Sequence, residues 1–463
     1  MQNRVLFLLA LVSLPATAQL RVGRAAVDIT PPVGVPMAGY YYVRVSEGVH
    51  DPLHAKALVL EENGVKAAMV ALDLVGIPRK FVDAAREQIG KTTGVPPANV
   101  MISATHSHTG PEMGGRLLGV QPATKKLADE YLNGLPARIA ESVRKAEADL
   151  QPARVLVATG REDSVSFVRR YYMKDGTVGW NPGKRNPNVV RPVGGIDPEI
   201  PIAVFETPEG KPLAVYINFA CHQDTTGGML FSADYAYTIS RLLSEVKGAD
   251  VMTLFTIGAA GNINHLDVNN PGPQSSPAEA ERIGVILTGD ILKAWPHLKE
   301  IDPGTLKVSH EAVTLPLAEY KSGDVEKARG IVARYGVKNA DPFYTRVNAF
   351  KILELDERHG EPIHAEVQVI SLGNQLAWVG MPGEIFVDLG KEVKVASPFP
   401  HTILAALANG AIGYIPDRAA YPQGAYEVVA SRVAPGGGER MVDSAIRQLI
   451  ALRGSYGSEI SFH

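Results

Sequence analysis

Two of the chain's twelve histidines stand two apart, in Thr105-His-Ser-His-Thr-Gly-Pro111. Residues two apart in an extended segment face the same side, so His106 and His108 can point into one cleft. Two imidazoles so placed suit zinc, which takes histidine nitrogen at ~2.0–2.1 Å. The spacing fits equally a pair of loop histidines bonded to turn carbonyls. A third histidine, His222, closes the apolar run Val215–Cys221. Alone it reads as a cap on a buried strand. As a ligand it would need its second ring N–H held, and Asp224 or Asp234 is close enough in sequence to do so. Glu384, after Met381-Pro-Gly, reads as a first-turn carboxylate favoured by a helix dipole. Tyr414, in Gly413-Tyr-Ile-Pro, reads as a core or rim aromatic. The turn Gly258-Ala-Ala-Gly-Asn-Ile-Asn264 offers backbone N–H groups to an oxyanion, Gly261 among them, with Asn262 and Asn264 adding polar contacts. It serves as well as a tight loop needing glycine dihedrals.

These residues must be positioned by something, and the hydrophobic pattern says what. Short apolar segments at Ala55–Leu60, Ala67–Leu72, Val100–Ala104, Arg154–Val157, Leu213–Phe219, Val251–Phe255, Glu366–Ile370, Leu376–Val379 and Thr402–Leu407 read as strands. Helical spacing marks Asp129–Ala148, Tyr237–Val246, Pro277–Trp295, Asp324–Tyr335 and Glu439–Leu452. The expectation is an α/β fold, with mixed β-sheets flanked by helices. Several strands run straight into polar residues: Asp73, the His106 loop, His222, the Gly258 turn and Glu384. Sites in α/β sheets form outside the carboxyl ends of strands, so the site is expected there.

Bulk properties narrow the class. Net charge is -3 with mixed signs, which excludes the basic surface of a nucleic-acid binder. The single cysteine, Cys221, cannot form an internal disulfide. Arg4, the apolar run Val5–Leu14 and Ala16-Thr-Ala18 form the pattern of a cleaved export signal over residues 1–18. That run is shorter than the ~20 residues needed to span a bilayer, and no later stretch reaches that length. A periplasmic or secreted protein without an integral membrane segment is expected. Residues 19–463 read as one catalytic domain, with the more charged and helical 302–362 as a possible insertion.

Taken in order, the motifs resemble the neutral, non-lysosomal ceramidases. The resemblance rests on Val22-Gly-Arg-Ala-Ala-Val-Asp-Ile-Thr-Pro31, Met37-Ala-Gly-Tyr40, the strand and loop Asn99–Pro111, Asn218-Phe-Ala-Cys-His222, Gly383-Glu384 and Asn409-Gly-Ala-Ile-Gly-Tyr414. It implies a zinc ion held by His106, His222, Glu384 and Tyr414. It also implies His108, Tyr414 and an arginine, either Arg169 or Arg170, assisting the reaction at a lipid amide. Asp73 and Asp234 are expected to support the ligands. Zinc with an open position polarises a carbonyl and makes water nucleophilic near neutral pH. Two features depart from the family. The serine expected after the strand that ends at Gly258 is missing, and only about 428–463 follows where an immunoglobulin-like domain is expected. A zinc amidohydrolase acting on a ceramide-like N-acyl amine is therefore expected first. A zinc esterase or sugar-modifying hydrolase comes second, and a non-catalytic binding protein on the same fold third.

Overall fold

The computed structural model describes residues 20–115, 120–335, 337 and 340–454. The expected export signal lies outside them. Three mixed sheets form the frame. The first runs Val100–Ala104, Val65–Leu72, His54–Glu62, Arg21–Asp28, Gln151–Pro152. The second runs Met252–Ile257, Pro212–Phe219, Glu199–Glu206, Arg154–Arg161, Lys299–Ile301. The third runs Leu306–Leu315, Ile363–Leu372, Leu376–Gly380, His401–Ala405. Each sheet contains one parallel pair, and in each it is an edge pair: Val65–Leu72 with Val100–Ala104, Pro212–Phe219 with Met252–Ile257, and Leu376–Gly380 with His401–Ala405.

The three sheets share one apolar core. Met69 and Met101 of the first, Phe205 and Tyr216 of the second, and Trp378 and Ile403 of the third fall in a single buried cluster. Trp378 is its largest fully buried member, and its ring centroid lies 5.8 Å from that of Tyr216. Outer faces are covered by helices. Arg79–Thr92 and Pro122–Ala148 pack by the first sheet, Asp234–Lys247 and Pro277–Ala294 by the second, and Gly437–Gly454 by the third. Strands buried on both sides read as near-continuous apolar runs, which is why they were legible in sequence.

The charged segment 302–362 is only partly separate. Leu306–Leu315 pairs along its whole length with Ile363–Leu372 and so belongs to the third sheet. What projects is helical: Val325–Val332 and Phe343–Asp356 pack against Tyr41 and Tyr426 in an aromatic cluster of their own. No helix among the described residues is long and apolar enough to cross a membrane.

Candidate metal centre

Loops leaving the carboxyl ends of the three parallel pairs converge. His106 and His108 follow Val100–Ala104, His222 follows Pro212–Phe219, and Glu384 follows Leu376–Gly380. Two local pairings fix the convergence. Ser107 and Gln223 form an isolated parallel bridge, and the His108 N–H donates to Gln223 O at 2.9 Å. Glu384–Ile385 and Tyr414–Ile415 form a two-stranded parallel ladder with Glu384 opposite Tyr414. Glu384 therefore lies in a short strand and not in a helical first turn; the helix begins only at Val387. His106 holds φ at 75°, a left-handed conformation uncommon outside glycine and typical of constrained sites.

One ring nitrogen from each of His106, His108 and His222 lies within 4.8 Å of the other two. The Nδ1 atoms of His106 and His222 are pinned on carbonyls, Val75 O at 2.7 Å and Ile263 O at 2.8 Å. A neutral imidazole whose Nδ1–H donates to a carbonyl presents a bare lone pair at Nε2. Both Nε2 atoms face the same Glu384 Oε2, at 3.4 Å from His106 and 3.2 Å from His222. That oxygen is buried and has no hydrogen-bond donor. Burial, then Arg169, pushes His222 down to about 4, so its ring is neutral near pH 7. Burial alone would raise the Glu384 carboxyl, but His106 and His222 outweigh it and hold it well below the usual range. The opposite balance holds at His106, where Glu384 overcomes burial and raises the ring. Three acceptors gathered around one buried point at the floor of the cleft, with a charge to compensate, suit a cation. Two imidazoles and a carboxylate are the donor set of a catalytic zinc site with a position open.

The surrounding groups answer several expectations. Arg169 and Arg170 are both buried and share Glu427, each at 2.8 Å. Only Arg169 reaches the centre: one guanidinium nitrogen lies 3.2 Å from His222 Nε2, another donates to Gly261 O at 2.6 Å, and its Cζ stands 5.3 Å from the Tyr414 ring centroid. Arg170 turns away to Gly424 O and Phe386. Tyr414 is buried beside Tyr426, with ring centroids 5.2 Å apart, whereas Tyr421 bonds Val433 O elsewhere. Burial, then Glu384, raises the Tyr414 phenol well above its ordinary value.

Other expectations are corrected. Asp73 and Asp234 do not hold the histidines, because carbonyls already take both Nδ1–H groups. Asp73 accepts from His54 N, and Asp234 accepts from Thr225 N and Thr226 N. Asp224 pairs with His265 at 2.8 Å and not with the His222 ring. The glycine turn is not poised for an oxyanion either. Gly258 N–H donates to Phe219 O, Gly261 N–H to Ile385 O and Ile263 N–H to Ala260 O. The Asn262 side chain accepts from Val387 N, and Asn264 bonds Asn181 and Leu266 N. The glycine at 261 serves closeness instead, since a Cβ there would sit 2.3 Å from Glu384 O.

One side of the cleft over the centre was not foreseen. Glu354, Glu357 and Arg358 of the helical projection line it, with Arg432 from the C-terminal region. The sole sequence signal was the charged texture of 302–362.

Comparison with known proteins agrees with this architecture. Residues 20–173 match the family described as neutral/alkaline non-lysosomal ceramidase, N-terminal. A neutral ceramidase of Pseudomonas aeruginosa is 28% identical over 238 residues, covering 49% of this chain and 34% of that protein. Neutral ceramidase 3 of Arabidopsis thaliana is 32% identical over 167 residues, covering 34% of this chain and 22% of that protein. The matched stretches thus span about a third or less of those relatives' lengths. The crystal structure of neutral ceramidase from Pseudomonas aeruginosa superposes with a TM-score of 0.72 at 20% identity, covering 95% of this chain and 75% of the other, which establishes the α/β fold.

Proposed function

We propose that the chain, whose residues 20–173 match the neutral/alkaline non-lysosomal ceramidases, is an exported zinc-dependent hydrolase cleaving an acyl–nitrogen bond. His106, His222, Glu384 and Tyr414 would hold the metal. The observation that carries this reading is the meeting of His106 Nε2, His222 Nε2 and the donorless Glu384 Oε2 at one buried point. Bound there, zinc supplies Lewis acidity to an acyl carbonyl and makes water nucleophilic at neutral pH.

The chain's own groups supply the rest. Burial, with His106 beside it, holds His108 well below the ordinary imidazole range, so the ring enters the reaction neutral and able to accept a proton. Its Nδ1 is buried with no partner, and its Nε2 lies 3.2 Å from His106 Nε2. In this reading His108 takes a proton from the attacking water and returns it to the leaving amine. Arg169, fixed by Glu427 and Gly261 O, brings a permanent positive charge beside His222 and Tyr414. It favours the anionic form of the phenol and of any oxyanion formed nearby. Ceramide-like amides head the substrate panel because the relatives are named ceramidases.

The test is metal analysis with activity on an N-acyl amine, before and after chelation. The purified chain should carry about one zinc, and chelation should abolish turnover until zinc is returned. Full turnover by a zinc-free preparation, or by His222→Ala, would refute the proposal.

A further inference from the structure

The three histidines of the centre are not held alike. His106 and His222 each donate Nδ1–H to a carbonyl, whereas His108 Nδ1 is buried without a partner. No hydrogen bond on that side sets the rotation of the His108 ring, so packing must do it. Gly39 lies directly against the imidazole. A Cβ there would stand 2.7 Å from His108 Cβ and 2.8 Å from its Cγ and Nδ1. Only glycine leaves that space to the ring, and its φ of 97° suits glycine as well. The Tyr40 ring meets the imidazole edge to face, with centroids 5.6 Å apart.

Gly39 and Tyr40 belong to the loop between Pro36–Met37 and Arg44–Val45, which pair antiparallel with Met37 opposite Arg44. From the end of that loop the Arg44 guanidinium reaches back over it. It is 4% exposed and donates to Ala38 O, to His108 O at 2.5 Å and to Gly228 O at 2.7 Å. Its Cζ stands 4.3 Å from the Tyr40 ring centroid, a cation–π distance. No carboxylate pairs with it among the described residues. Burying a guanidinium without a counter-charge is costly, and what it gains here is three carbonyls on three separate segments. One planar fork of donors therefore ties the Gly39–Tyr40 loop to the main chain of His108. The metal donors rest on other supports: Val75 O, Ile263 O and the ladder at Glu384.

Resting on the hydrolase reading above, we propose that Arg44 is the positioning residue for His108. It clamps Gly39 and Tyr40 against the imidazole and so sets the direction of the ring that carries the proton, while the metal donors keep their places without it.

The test uses N-hexanoylsphingosine in detergent or p-nitrophenyl acetate, whichever the chain cleaves in a chelator-sensitive way. Arg44→Lys keeps the charge but loses the planar fork. It should lower kcat about ten- to hundredfold, with KM within about threefold and zinc content unchanged. Gly39→Ala presses a methyl onto the ring and should act in the same way; it carries the test if the Arg44 variant does not fold. In a His108→Ala background neither substitution should lower kcat further, because both act through that ring. A merely structural arginine would cost as much in either background, and that result would overturn the assignment. So would a His108→Ala chain with unchanged kcat. Ring nitrogen resonances of the histidine-labelled chain, as purified, give a readout independent of turnover. Arg44→Lys should move the His108 signals, identified by their loss in His108→Ala, and leave those of His106 and His222 in place. If the other two move as far as His108, the assignment falls. If neither substrate is cleaved in a chelator-sensitive way, the hydrolase reading falls, and the resonances alone decide whether Arg44 sets the ring.

Discussion

His222 is fully buried, follows a strand buried in a shared core, and has its ring fixed by a carbonyl of a neighbouring strand end. Glu357 is exposed, just past the end of a helix that packs on a small satellite cluster of aromatic residues. Both line or approach the same cleft, yet they are held by very different amounts of structure. The donor side is over-determined: three sheets, two local bridges and a glycine contact agree on where Glu384 and the histidines lie. The helical wall answers mainly to its own packing. The frame thus fixes the candidate metal donors while the charged wall rests on the projection, and one can be altered with little damage to the other.

The strongest way to break that contrast is at Glu427, which is fully buried and compensates both Arg169 and Arg170. Glu427→Ala leaves two buried guanidinium groups without their carboxylate, and a loss of about 3–5 kcal/mol is expected in urea unfolding. Next comes Gly261→Ala. A Cβ placed 2.3 Å from Glu384 O must push that backbone away, costing about 1–3 kcal/mol and weakening zinc affinity in a competition titration.

A subtler probe of the frame is Asp51, which accepts from Ser232 Oγ and Ala233 N. Burial raises its carboxyl from 3.8 to about 6. Between those values the folded state binds more protons than the unfolded chain. This contribution to stability is therefore full below about pH 4 and falls as pH rises through 6. Asp51→Asn should remove that fall, so the wild-type-minus-variant stability difference should drop by about 1–2 kcal/mol between pH 4 and 7. A flat difference would contradict the shift. Smallest is Glu357→Gln, expected to move stability by less than about 0.5 kcal/mol. A loss above 2 kcal/mol would show that the wall is structural after all.

Sequence made the donor side readable for the same reason that it is rigid. Strands buried on both faces leave long apolar runs, and their polar ends stand out, which placed His106, His222 and the turn at Gly258. Arg21–Asp28 escaped notice because its Gly-Arg-Ala-Ala centre has little β character; it is held by pairing with His54–Glu62. Glu384 was read as helical because the residues after it are, while its two-residue ladder with Tyr414 depends on a loop thirty residues away. Asp73 and Asp234 were assigned to the histidines because sequence cannot show a carbonyl. Val75 O and Ile263 O do the work that carboxylates were expected to do. The choice between Arg169 and Arg170 likewise needed the pairing of Phe167–Val168 with Ile263–Asn264, which aims one inward. The charged wall could not be tied to the site, since nothing in sequence brings Glu357 near His108.

The central claim is that a zinc ion belongs at the meeting point of His106, His222 and Glu384. Anomalous diffraction at the zinc edge tests it most directly, on crystals of the chain purified without chelator. The account predicts one strong peak within about 2.0–2.2 Å of both Nε2 atoms and Glu384 Oε2, lost in His222→Ala. No peak there, or a peak only at another cluster such as Asp224 and His265, would contradict it.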